Sequence, residues 1–255
     1  MPRRFRKSSA TVPPGYFAWE ATGLRWLGEA GGDAVVPVLD VGPTHLELPY
    51  LAEGPPSVRA AEDLGRALAR IHGAGADAFG APPAGWDGDG WLGPLSEPLP
   101  LRLGSWPAWG VFAAEARVLP LARTGRERGV FGPEQVAVLE RLARTLAAGT
   151  HDTDDPPARL HGDLWAGNVL WTPAGAVVVD PAAHGGHREA DLAMLAVFGA
   201  PSLPRLLAAY DEVAPLASGW RERVLLHQVH PLLVHAVLFG GSYVPRAVDA
   251  AAHYA

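Results

Sequence analysis

The stretch His161-Gly162-Asp163-Leu164-Trp165-Ala166-Gly167-Asn168, followed by Ala176-Val177-Val178-Val179-Asp180, decides how this chain folds. Asp163 stands five residues before Asn168, and an apolar run of strand character delivers Asp180. Val169 to Trp171, the turn residues Thr172 to Gly175, and Ala176 to Val179 together predict a hairpin. Three side-chain oxygen donors thereby converge at one end of that hairpin. A carboxylate so placed can orient and deprotonate a hydroxyl, and two further hard oxygens suit Mg²⁺ held against phosphate. Any one of these residues alone reads as a turn or a cap; the triple at this spacing reads as chemistry.

The rest of the chain bounds the setting. With 255 residues, 48% of them hydrophobic and 19% charged, it has enough apolar chain for one large domain or two lobes. A net charge of -6 and a pI near 5.9 argue against a nucleic-acid partner. Cysteine is absent, which excludes disulfides, a thiolate nucleophile and sulfur-ligated zinc. Met1 to Ala10 is basic but lacks a following apolar segment, so no secretory signal is read and a cytoplasmic location is expected. The apolar run Val224 to Phe239 is broken by His227, Gln228, His230, Pro231 and His235, which predicts a buried helix and no membrane span.

A short strand is expected around Phe5 to Lys7 and a helix from Tyr16 to Ala30. Val35 to Val41 and His45 to Leu51 read as paired strands about Gly42-Pro43. Val58, Ala61, Leu64, Leu68 and Ile71 recur at helical spacing within Ser57 to His72. Gly73 to Pro107, dense in Gly, Pro and Trp, reads as an irregular surface stretch. Further helices are predicted at 111–121, 133–148, 188–197, 201–213 and 220–239.

The spacing of Asp163, Asn168 and Asp180 matches the catalytic loop and metal-binding aspartate of protein kinases. Leu160 through Asn168, Asp180-Pro181-Ala182, and Gly186-His187-Arg188-Glu189-Ala190-Asp191-Leu192-Ala193-Met194 resemble the fructosamine kinase (ketosamine 3-kinase) family. Weaker echoes are Leu64 to Ala69 with His72, Phe79-Gly80, and Phe239-Gly240-Gly241-Ser242-Tyr243. The resemblance spans nearly the whole chain. It implies an α+β, protein-kinase-like bilobal fold, with a truncated N-terminal β lobe over residues 1–51 and a mainly helical C-terminal lobe over 52–255. It also implies ATP and Mg²⁺ as cofactors. The expected reaction is phosphorylation of the 3-hydroxyl of a ketosamine, carried by a small molecule or by a glycated protein lysine, in a deglycation or repair role.

The spacing gives Asp163 as the base, Asn168 and Asp180 as metal ligands, Trp165, two residues beyond the base, as a stacking surface for the adduct, and His161 as a holder of the loop; the resemblance adds Asp191 as a further support. Lys7 becomes the strand lysine at the nucleotide phosphates and Glu20 its helix partner. The residues support that pair independently. Lys7 is the single lysine among 21 basic residues, and Glu20 shares a helix face with Phe17, Leu24 and Leu27, where a buried carboxylate needs a cation. The hinge that meets adenine is expected at Glu47 to Leu51, with Glu47 and Tyr50 offering main-chain groups beside Pro49, which lacks a donor. Gly162 stands where many protein kinases carry an arginine, and the interval from Asp180 to Asp191 is too short for an activation segment, so a small substrate is implied.

Six residues precede Lys7, roughly 20 Å of strand, whereas this fold places a glycine-rich phosphate lid before the strand lysine. The expectation is a chain without that lid, weak in ATP binding and slow in turnover, which a longer upstream start would restore. Two other readings stand beside this one. One is a nucleotide-binding but inactive pseudokinase. The other is a metal-dependent hydrolase using His151, Asp154, Asp155, His161, Asp163, His184 and His187, in which only His184 and His187 have a ligand-like spacing.

Overall fold

The computed structural model describes residues 3–255. Its first elements are β1 (Arg4–Ser8), α1 (Tyr16–Gly31), β2 (Asp40–Gly42) and β3 (His45–Pro49). The strands form an antiparallel sheet in the order β1-β3-β2. Alternation along β3 buries Leu46 and Leu48 and turns Glu47 to the opposite face. The same alternation divides β1: Arg4 and Arg6 pair with Glu47 at 2.8 and 2.7 Å, while Lys7 leaves from the other face. α1 lies under the sheet with Phe17, Leu24 and Leu27 buried. The strand expected from Val35 pairs within this sheet only from Asp40, because Val35 bridges to Val178 of the other lobe and Pro37 has no N–H to donate.

The second lobe opens with α2 (Val58–Gly73), whose N-cap Ser57 accepts a hydrogen bond from the Ala60 N–H at 3.1 Å. The stretch expected to be irregular contains a packed hairpin, β4 (Gly90–Leu92) and β5 (Leu99–Leu101), with Leu92, Leu99 and Leu101 buried. Trp19 of α1 closes over it, donating from Nε1 to the Trp91 carbonyl at 3.1 Å. α3 (Trp109–Phe112) continues through a π-helical stretch, Ala113–Val118, into α4 (Leu119–Glu127), and α5 (Pro133–Ala147) follows. β6 (Ala158–Leu160) precedes the predicted hairpin, β7 (Val169–Thr172) with β8 (Gly175–Val178), and pairs with β9 (His184–Gly186) beyond it.

Four helices complete the lobe: α6 (Glu189–Val197), α7 (Leu203–Val213), α8 (Trp220–Phe239) and α9 (Tyr243–Tyr254). α2 and α7 approach so closely at Gly65 that a Cβ there would lie 2.2 Å from the Leu206 carbonyl oxygen. Two apolar cores result. One joins α1, β3, α2, β8 and α7; the other lies among α3, α5, α8 and α9, with Leu139, Leu142 and Leu233 fully buried. Each such leucine contributes about 1.5–3 kcal/mol by burial. Among the described residues, no helix is long and apolar enough to cross a membrane.

Candidate active site

The catalytic loop leaves β6 and enters β7, and its path is fixed by Asp191 at the start of α6. The Asp191 carboxylate accepts from the His161 N–H at 2.7 Å, the Gly162 N–H at 2.9 Å and the His72 ring at 3.1 Å. His72 in turn meets the Tyr210 hydroxyl at 2.9 Å. Burial pushes the Asp191 carboxyl up, but the bonds and charge of these partners outweigh it and hold it below the ordinary range. His161 donates from Nε2 to the Val179 carbonyl at 2.9 Å, with its Nδ1 placed to accept the Asp163 N–H. Burial keeps it neutral by lowering its pKa. Both residues are hydrogen-bonded to the loop or to the strand end beside it. His72 and Tyr210 extend that support; the only sequence signal for His72 was its place in the weak motif ending α2. Gly162 adopts φ +80° with Ala182 O 2.2 Å from where a Cβ would sit, so no side chain, arginine included, fits this loop path.

At the far end of the loop, Asn168 Nδ2 donates to the Asp163 carbonyl at 2.8 Å, to Asp163 Oδ2 at 3.1 Å and to the Asp180 carbonyl at 3.4 Å. One amide thus ties together the three residues that the sequence grouped. Asp180 holds φ +55°, an uncommon conformation for a residue other than glycine and a form of strain that concentrates at functional sites. Burial pushes the Asp163 carboxyl up to about 7.

Lys7 reaches this group from β1. Its Nζ lies 2.8 Å from Glu20 Oε2 and 3.3 Å from Asp180 Oδ1. Burial disfavours the ammonium, yet Glu20 and Asp180 outweigh it and raise its pKa. Burial pushes Glu20 up to about 7 against the pull of Lys7. Tyr16, which the sequence reading passed over, packs beside the ammonium with its ring centre 6.0 Å from Nζ.

These side chains line a cleft of about 360 Å³ between the lobes, whose outer wall includes Trp165, His235 and Phe239. Trp165 is 39% exposed, and its ring folds over Gly167, where a Cβ would stand 2.2 Å from it. Phe198, His235, Phe239 and Tyr243 continue from it as a run of rings with centroids 5.0–6.4 Å apart.

Two of the expected hinge residues have main-chain groups already engaged within the first lobe. Glu47 sits mid-strand in the central strand of its sheet, its carbonyl accepting from the Leu39 N–H at 2.9 Å and its carboxylate held by Arg4 and Arg6. The Tyr50 N–H donates to the Arg3 carbonyl at 2.9 Å, and its ring lies under the Arg3 guanidinium. The Glu47 side chain faces away from buried Leu46 and Leu48, and Tyr50 stands just past the end of β3. Leu51, just beyond β3, is outside these pairings.

Of the donors grouped in the hydrolase reading, only His187 and Asp155 meet, at 3.7 Å, and the other histidines have separate partners. His184 bonds the Ala182 carbonyl, His187 bonds Thr153, and His151 packs edge-on against Tyr254. Among the described residues two donor sets converge: Asp40, His45 and Glu47 in the three-stranded sheet, and His187, Glu189 and His227 in the second lobe. There Arg223 occupies both Glu189 oxygens, at 2.9 and 2.5 Å, as an ion-pair brace.

Comparison with known proteins agrees with this geometry. The family model described as fructosamine kinase matches residues 3–254. A probable ketoamine kinase of Thermus thermophilus is 37% identical over 250 residues, covering 96% of this chain and 86% of that one. A crystal structure from Thermobifida fusca, assigned as a fructosamine-3-kinase, superposes with a TM-score of 0.89 at 48% identity, over 98% of this chain and 84% of the other. An aminoglycoside phosphotransferase, APH(4)-Ia, in complex with ADP and hygromycin B, shares the fold at a TM-score of 0.57 and 14% identity, over 92% and 83% of the two chains. The chain belongs to the fructosamine kinase family.

Proposed function

We propose that this chain transfers the γ-phosphoryl group of ATP to the 3-hydroxyl of a ketosamine held in the interlobe cleft. The observation that carries this reading is the meeting of Asp163, Asn168 and Asp180 from one loop and hairpin with Lys7 and Glu20 from the other lobe.

The oxygens present fit Mg²⁺: the Asp180 carboxylate is 44% exposed, and Asn168 spends its nitrogen on three carbonyl or carboxylate oxygens, which leaves Oδ1 free of those bonds. Asp180 and Asn168 Oδ1 would hold the ion, which when bound neutralises charge on the phosphates. Lys7, fixed by Glu20, presents a compact cation to phosphate oxygens. Asp163 takes the proton of the attacking hydroxyl at its carboxylate. A pKa raised to about 7 suits a base working near neutrality. Trp165 stacks on the sugar or its amine, and the acceptor is a free adduct or a glycated protein lysine, in a deglycation role. Leu51 supplies the main-chain contact to adenine, within a lobe of residues 1–51 that closes on residues 52–255.

The test is an ADP-release assay with synthetic ketosamines, using simple sugars, choline and aminoglycosides as controls. Consumption of Mg²⁺-ATP only with a ketosamine is expected. Equal or greater turnover of an aminoglycoside or choline overturns the reading, and nucleotide binding without turnover of any acceptor replaces it with the inactive one.

A further inference from the structure

A second cavity, of about 70 Å³, shares no lining residue with the cleft. It reaches Leu160, Gly162 and Asp191 at one edge, directly behind the catalytic loop, and its walls include Phe112, Leu142, Leu146 and Leu226. Into this largely apolar lining comes a guanidinium, its carbon 4.4 Å from the centre of the Phe112 ring. Arg117 is 4% exposed; its Nη1 donates to the Arg102 carbonyl at 2.8 Å and the Ala116 carbonyl at 2.9 Å, and its Nη2 is buried with no hydrogen-bond partner. The carboxylate acting on it, Asp89, is exposed and already accepts the Leu103 N–H.

The other polar groups around the cavity bring no free negative charge. His184 donates from Nδ1 to the Ala182 carbonyl, and burial keeps His184, His187, His227 and His230 neutral. The Asp191 carboxylate is spent on three donors, and Glu189, beside His227, is spent on Arg223. An unpaired buried charge costs several kcal/mol, and burial lowers the Arg117 pKa to about 9. Arg117 also lies in the π-helical stretch, a distortion frequent at functional sites. The cavity exceeds the roughly 10–15 Å³ that one water needs, so an ion fits.

We propose that this cavity is a binding site for a small monovalent anion, a halide or the carboxylate of a short-chain acid, paired with the free Nη2 of Arg117. The bound anion supplies the countercharge that the fold omits and fills the space behind the loop that carries Asp163. Chloride, bromide and small carboxylates compete for it.

Anomalous diffraction from bromide-soaked crystals tests it, together with thermal unfolding in chloride and in gluconate at constant ionic strength. A bromide peak within hydrogen-bond distance of Arg117 is expected, with a saturable rise in Tm of about 2–4 °C in chloride over gluconate. The variant Arg117→Met should lose both. Loss of the peak on adding butyrate identifies the organic acid as the stronger occupant; retention identifies the halide. A cavity holding neither bromide nor carboxylate overturns the proposal, as does a chloride effect that persists in Arg117→Met. Should that variant fail to fold, the wild-type diffraction result decides alone.

Discussion

Asp163 acquires its chemistry from position. It stands where Asn168 can bond one carboxylate oxygen at 3.1 Å, leaving the other for a substrate proton. In Asp163→Asn, kcat should fall by roughly 10² or more, with nucleotide binding nearly unchanged by calorimetry. Asp180→Asn should instead weaken Mg²⁺-nucleotide binding, so the two variants separate base from metal ligand. Lys7 poses a different question, since charge alone does not define its role. The ammonium fits between Glu20 at 2.8 Å and Asp180 at 3.3 Å, a space shaped for a compact group. Lys7→Arg keeps the charge but presents a planar fork, and steady-state kinetics should show kcat/KM for ATP reduced at least about tenfold. Unchanged kinetics would return Lys7 to the basic N-terminal cluster with Arg4 and Arg6.

Elements with a strong local signal were legible in the sequence, and those defined by distant partners were not. The hairpin carrying Asp180 and the helices built on Leu64, Leu68 and Ile71 or on Leu139, Leu142 and Leu146 show their periodicity within one segment. β4 and β5 have three residues each, too few to display alternation, and Trp91 is placed by Trp19 across 72 residues. α9 escaped because its buried face is Ala247, Ala250 and Ala251, small side chains with little apolar contrast. In the site, the pairing of Lys7 with Glu20 was readable from face and charge, whereas the engagement of Glu47 and Tyr50 depended on sheet register. Glycine contacts can be tested at this scale. Gly65→Ala should lower the urea midpoint by an amount equivalent to about 1–3 kcal/mol, because α7 backbone blocks the new methyl. Gly28→Ala, where nothing lies within 4 Å of the new Cβ, should raise it by up to about 1 kcal/mol.

For the molecule as a whole, buried titratable groups set an acid limit. Burial lowers the pKa of His161, His184, His187, His227 and His230, so below about pH 6.5 the unfolded chain gains protons that the folded one refuses, and stability falls with pH. Burial raises Asp163 and Glu20 to about 7, and these two act in the opposite sense between about pH 7 and pH 4. The histidines outnumber these two carboxyls, so the net effect of acidification is a loss of stability. Glu189 adds to it below its ordinary range: burial alone would raise it, but His227 and Arg223 hold it at about 2, and their stabilisation fades as pH falls toward that value. Urea midpoints measured from pH 8 down to pH 4 should decline steeply below pH 6; a flat profile would show that these histidines are hydrated. The Asp191 carboxylate also has a meaning in time. It joins His161 and Gly162, 30 and 29 residues away, to His72, 119 residues away. Local helices form in microseconds, but closing a loop of that length comes late and carries its own entropy. A newly made chain can therefore be compact and helical while still inert, and phosphoryl transfer begins only when the end of α2 has met the start of α6.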